Sequence, residues 1–294
     1  MPAVTATRAL AAGVRGAWRR PELVGGLYLL NLAWTLAVTW PFLLALSRAT
    51  ALRPYAAPLA RGLQVDVLAE IVARRPLLGT AAQAAVGVGV AGWLVLSWFL
   101  TAGVLGVLRE APRELTLRRF LALAGAHGLA MARLQLWSAL PYAAAIAALA
   151  GGVAIAGWAA FRAVNPFVTV AAGAAGALPG LVMLVLTTTA VDVARAQAVL
   201  GADRAMGRLL LRAYRLVVAR WRATIGVQLG AGLLWLAASA AYLALAWPWP
   251  YAATAAFVLL TLLRQALVVA RTGVRVATLG ANLEVVAEVA VERA

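Results

Sequence analysis

The chain has 294 residues, 64% of them hydrophobic and only 12% charged, with a mean hydropathy of +0.90, whereas a soluble chain is about half apolar and about a quarter charged. Water cannot be the solvent of such a chain, and uncharged runs longer than about 18 residues recur along it, so a bilayer is expected. Its 26 basic residues, all arginine, against 10 acidic ones give +16, but they gather at the ends of apolar runs, which suits anionic headgroups and sets nucleic acid aside as a partner.

In chain order, Arg8, Arg15, Arg19 and Arg20 precede a first span at 23–46, too long for the apolar core of a cleaved signal and read as an anchor. Asn31, Thr35 and Thr39 share one side of it; hydrogen bonds between helices are the default reading and substrate contacts the alternative. Before the second span, 82–108, the connection carries an expected short amphipathic helix with Val65, Leu68, Ile71 and Val72 opposite Asp66, Glu70 and Arg74. Gly87, Gly89 and Gly92 crowd that second span. Leu117, Phe120, Leu121, Ala124 and Met131, opposed by Arg118 and Arg119, suit a helix lying in the membrane interface ahead of the third span, 134–161. In the fourth span, 166–191, Gly176 and Gly180 permit close helix approach, while Pro179 between them offers either ordinary packing or a broken helix of the transporter kind.

Arg204, Arg208, Arg212 and Arg215 then form one stripe and Met206, Leu209, Leu210, Ala213 and Val217 another. This pattern predicts an interfacial helix, apolar side in the lipid and arginines on the headgroups. The uncharged run from Ala223 to Leu263 is too long for one span, since at ~1.5 Å per residue it would measure roughly twice the hydrocarbon thickness. Pro248 and Pro250 divide it into spans at 224–246 and 250–271, the former with Gly226 and Gly230 as a second small-residue pair and with Gln228. In the tail, 272–294, Leu283, Val286 and Val289 lie opposite Glu284, Glu288 and Glu292; the acidic stripe either docks on the Arg204 to Arg215 stripe or stays solvated.

The expected fold is all-α, with six transmembrane helices in three hairpins, each preceded by an amphipathic interfacial helix, in one polytopic domain with a cytoplasmic tail helix. The arginine-dense connections place both termini in the cytoplasm. Trp18, Trp137 and Trp221 then mark the inner boundary and Trp40, Trp158, Trp247 and Trp249 the outer one. Arginine-only, alanine-rich usage points to a GC-rich bacterial genome, hence to an inner membrane.

Enzyme signatures are missing: no HExxH, phosphate-binding loop or GxSxG occurs, and no cysteine is present. His127 stands alone, and Glu110 and Glu114 alternate with Arg109 and Arg113 as a charge-paired turn. Asp192 and Arg264 are the ionisable residues within or beside apolar runs; both lie toward the inner side, where they could pair with each other or with Gln265 or Thr187 to Thr189. Such a pair reads either as a packing contact or as a proton or substrate relay. No cofactor or metal is implied.

Trp98 to Gly106, followed by a basic segment with Phe120, and Val191-Asp192-Val193-Ala194-Arg195, followed by the Arg-rich helix, resemble a group of bacterial six-span proteins similar to the membrane domain of some glycerophosphodiester phosphodiesterases. The resemblance covers most of the chain and implies the topology. The catalytic barrel has no counterpart, so the activity is not implied; an Asp-x-x-Arg pattern in the group would fall on Asp192 and Arg195. The expected function is non-enzymatic, with anionic membrane lipids as partners and binding or movement of a lipid or other apolar ligand as the role. The alternatives are a partner-binding scaffold and an ion- or proton-coupled transporter.

Overall fold

A computed structural model describes residues 5–50, 76–162, 166–201, 205–246 and 254–293. Among these the chain forms eight α-helices and no strand: α1 (Ala6–Trp18), α2 (Pro21–Thr50), α3 (Pro76–Glu110), α4 (Leu117–Arg162), α5 (Pro166–Val199), α6 (Met206–Ala219), α7 (Trp221–Ala246) and α8 (Thr254–Arg293). Five stretches among the described residues are long and apolar enough to cross a bilayer: Pro21–Arg48, Gly79–Glu110, Leu117–Trp158, Val170–Val199 and Trp221–Ala246. Apolar residues cover all sides of these helices, the pattern of a helix surrounded by lipid and by other helices. They mark a multi-pass membrane protein. The break expected at Pro248 and Pro250, the start of the sixth expected span, the amphipathic helix around Val65, and Trp247 and Trp249 lie outside the described residues.

The helices outlast the bilayer. At ~1.5 Å per residue the 46 residues of α4 measure about 69 Å, more than twice the ~30 Å of hydrocarbon. The segment expected as a separate interfacial helix ahead of the third span is therefore the opening of α4 itself: the helix runs straight through Gly125 and Gly128, and no proline lies between Thr116 and Arg133 to end it. Among the described residues, a separate short helix precedes a spanning helix at α1 and α6. Likewise α8 continues unbroken through the boundary expected at 271/272, and α5 runs unbroken through Pro179, so the broken-helix alternative fails.

The chain divides into two compact units, one of Met1–Arg20, Trp98–Leu233 and Val274–Ala294, the other of Pro21–Ser97 and Leu234–Gly273. In the first, the end of α3 (Leu105, Val107), the opening of α4 (Leu134), the end of α5 (Val191, Val193, Val199), α6 (Leu209, Val217), the opening of α7 (Val227) and the end of α8 (Val276, Leu279, Val285) are fully buried. α6 packs on α5 and α4. Thr5 caps α1, its Oγ1 accepting from the Arg8 N–H at 3.4 Å. Ala9, Gly13 and Ala17 turn the buried face of α1 inward, and Ala9 joins Val227, Ala281 and Val285 in one cluster. At Gly13 the α1 backbone lies directly on the α8 backbone at Ala277 and Ala281, leaving no room for a Cβ.

Away from that layer, α4 and α5 pack as an antiparallel pair whose backbones touch at Gly152 and Gly176 and where Gly180 meets Leu149. Their other faces turn Leu140, Ile155, Val170 and Leu178 outward. In the second unit Leu29, Leu36, Val86, Val88, Leu236 and Leu243 are also exposed. There Trp34 covers Gly92 and Val38 meets Gly89. Thr35 and Thr39 were expected to bond between helices, but their hydroxyls donate within α2, to the Asn31 and Thr35 carbonyls at 2.8 and 2.7 Å.

Candidate functional site

Asp192 sits in the last third of α5 with 1% of its side chain exposed. Three helices bring donors to it, and a fourth joins through Arg195. Arg195, one turn further along α5, gives Nη1 to Oδ1 at 2.9 Å. From α8, Arg275 clasps both oxygens, Nη1 to Oδ2 at 2.5 Å and Nη2 to Oδ1 at 2.7 Å. From α7, Gln228 Nε2 donates to Oδ2 at 3.2 Å. Gln135 of α4 completes the group by accepting from Arg195 Nη2 on its Oε1 at 2.6 Å. Such forked, charge-assisted contacts are the strong class of hydrogen bond and fix orientation as well as distance. Around them, Tyr214 of α6 donates to Thr187 Oγ1 at 2.9 Å and Thr189 returns its hydroxyl to the Val185 carbonyl at 2.7 Å.

Arg264 had been expected opposite Asp192. The guanidinium found there belongs to Arg275, eleven residues further along α8, where the helix has reached the packed layer. Arg264 is exposed. Gln265 accepts from the Tyr28 hydroxyl at 2.9 Å, within the second unit. Asp192 and Arg195 are thus brought together, and Arg264 and Gln265 belong elsewhere. Gln135 and Arg275 were not singled out from the sequence. The signal for Arg275 was available: it lies one heptad from Asn282 and shares its helix side with Leu279 and Val286, the side that turned out buried.

With both oxygens of Asp192 taken by four contacts and water excluded, the carboxylate has no open lone-pair direction from which to act as a base or nucleophile. Among the described residues no group of three His, Cys, Asp or Glu is placed to hold a metal ion.

The second arginine set lies on α6. Arg204 is outside the described residues; Arg208, Arg212 and Arg215 are exposed, and Leu211 and Val218 are exposed between them at 62% and 67%. The apolar stripe expected to rest in lipid does not: Met206, Leu209, Leu210, Ala213, Leu216 and Val217 are buried in the protein. Tertiary packing of α6 on α4 and α5 claims that face. The tail's acidic stripe docks, but on Arg220 at the joint of α6 and α7, which pairs with Glu288 at 3.5 Å and with Glu292; Glu284 is exposed. Beside this joint Arg222 stacks 5.4 Å from the Trp221 ring centroid. A cleft of about 740 Å³ opens there, lined by Thr5, Thr7, Arg220, Trp221 and Arg222.

Gly226 and Gly230 pack against Ala6 and Leu10 of α1, and Gly176 and Gly180 lie in the α4–α5 seam. His127 is half-buried on α4, and Glu110 pairs with Arg119 at 2.5 Å. No family model, curated protein or solved structure matches the chain.

Proposed function

We propose that the chain is a non-enzymatic, multi-pass protein of a bacterial inner membrane, with six spans and both termini cytoplasmic, that engages anionic lipid headgroups and binds or moves a lipid or other apolar ligand. The sixth span is the opening of α8, and the resemblance to the bacterial six-span proteins belongs to the same reading. One observation carries it. α6 is anchored by a fully buried face, and its opposite face presents Arg208, Arg212 and Arg215 interleaved with exposed Leu211 and Val218. Arginines with apolar neighbours on a rigid face suit the boundary between headgroups and acyl chains. Exposed Trp18, Trp137 and Trp221 support the same boundary, and the cleft beside Trp221 falls in the size range of small-ligand sites.

A partner-binding scaffold is the second reading, favoured by the closed geometry of Asp192, which also argues against a proton or ion relay. Native mass spectrometry of protein released from nanodiscs separates the two. Retained phosphatidylglycerol, lost in the triple variant R208Q/R212Q/R215Q, supports lipid engagement. A co-purifying protein chain with no lipid preference supports the scaffold. Because the chain has no cysteine, single Trp40→Cys and Trp221→Cys variants report topology directly. Labelling of both from the same side of intact cells would overturn the proposed orientation.

A further inference from the structure

The charges around Asp192 do not balance. One carboxylate faces two guanidiniums, neither of which can lose its proton. Among the described residues no other carboxylate forms an ion pair with Arg195 or Arg275. Arg195 is 14% exposed and its second nitrogen meets only the neutral amide oxygen of Gln135. A buried cluster with a surplus positive charge is costly unless a counter-charge completes it. Arg275 spends Nη1 and Nη2 on Asp192, whereas its Nε makes no hydrogen bond among the described residues and 42% of its side chain is exposed. A guanidinium edge of that kind matches two oxygens of a phosphate.

We propose that the cluster of Asp192, Arg195 and Arg275 is a binding site for a singly charged phosphate group, seated on the open edge of Arg275 and neutralising the surplus charge. An anionic lipid headgroup and inorganic phosphate both carry this chemistry. The site is separate from the α6 surface, although it shares with the reading above the preference for anionic lipid.

The experiment adds the missing negative charge from within. In Gln135→Glu, a nearly isosteric carboxylate sits where the amide oxygen already contacts Arg195, so the cluster is neutral and its packing kept. Full-length wild type and Gln135→Glu are compared in detergent by thermal unfolding with added phosphatidylglycerol, phosphatidylcholine or inorganic phosphate, and by native mass spectrometry for retained lipid. The expected result is stabilisation of the wild type by phosphatidylglycerol and not by phosphatidylcholine, with apparent affinity at least tenfold weaker in Gln135→Glu. Stabilisation by inorganic phosphate, likewise weakened in the variant, assigns the site to the free anion. Equal affinities in wild type and Gln135→Glu overturn the proposal. Arg195→Gln, which removes the surplus charge instead, gives the same readout should Gln135→Glu fold poorly. A wild type that neither retains phosphatidylglycerol nor responds to phosphate overturns it without any variant. R208Q/R212Q/R215Q keeps this affinity even if the α6 reading fails, so the two failures are distinguishable.

Discussion

The packed layer of the first unit and the outward surfaces of the spanning helices are built from the same residue types and treat them in opposite ways. Among the described residues every fully buried large side chain, from Leu105 through Leu209 to Val285, falls in the first unit. Among the described residues of the second unit Leu29, Leu36, Val86, Val88 and Leu243 are exposed, and burial is confined to a few positions such as Leu23, Leu27 and Leu260. The difference teaches that valine and leucine serve two solvents in one chain. In the layer they exclude water and lipid alike and gain close contacts; elsewhere they match the acyl chains, and association relies on small residues such as Gly152 and Gly176.

The strongest way to break the contrast is to empty the ion cluster of the layer. Asp192→Ala leaves two guanidiniums without their carboxylate and should cost about 3–5 kcal/mol, seen as loss of monodisperse protein in size-exclusion chromatography. Arg264→Ala, at an exposed position, should stay within about 0.5 kcal/mol. Next, Leu209→Ala, fully buried, should destabilise by about 2–5 kcal/mol. Its neighbour Leu211, 62% exposed, should tolerate alanine within about 0.5 kcal/mol. Thermal unfolding in one detergent compares the two, and equal losses would erase the distinction between the faces of α6.

Gly13→Ala sharpens the comparison at the backbone. A methyl group there must push α1 off α8, an overpacking cost of about 1–3 kcal/mol. Gly16→Ala meets open space and should be neutral or stabilising by up to about 1 kcal/mol through helix propensity. The smallest effect is expected at the rim. Glu288→Gln with Glu292→Gln breaks partly exposed pairs to Arg220 worth about 0.2–1 kcal/mol each. Limited proteolysis of the α8 end should quicken only modestly, because Val285, Val286 and Val289 hold it by burial.

Much of this was legible in the sequence. Helix existence followed from apolar runs and length, both faces of α6 from periodicity, and Asp192 from the cost of a charge beside an apolar run. The tail stripe of Leu283, Val286 and Val289 was legible too, and all three are buried. What covers a face was not legible, since an amphipathic helix looks the same whether its apolar side meets lipid or protein; α1 and α6 both meet protein. Nor was the partner of Asp192. Arg264 and Arg275 lie three turns apart on one helix, and choosing between them requires knowing how far α8 extends into the layer before it meets α5. Continuity hid as well: between α4's opening and its span nothing marks a boundary, so a change in surroundings was taken for a change in structure.

The geometry around Asp192 also bears on how the chain is made. Arg195 is available as soon as α5 coils, three residues away, but Arg275 lies 83 residues downstream of Asp192. At roughly 5–20 residues per second of synthesis, that delay is on the order of 4–17 s. Throughout it, Asp192 must be accommodated with Arg195 as its charged companion. The intrahelical pair is thus the early holder of the carboxylate and the clasp from α8 the late one. Completion of the layer awaits the emergence of α8 from the ribosome.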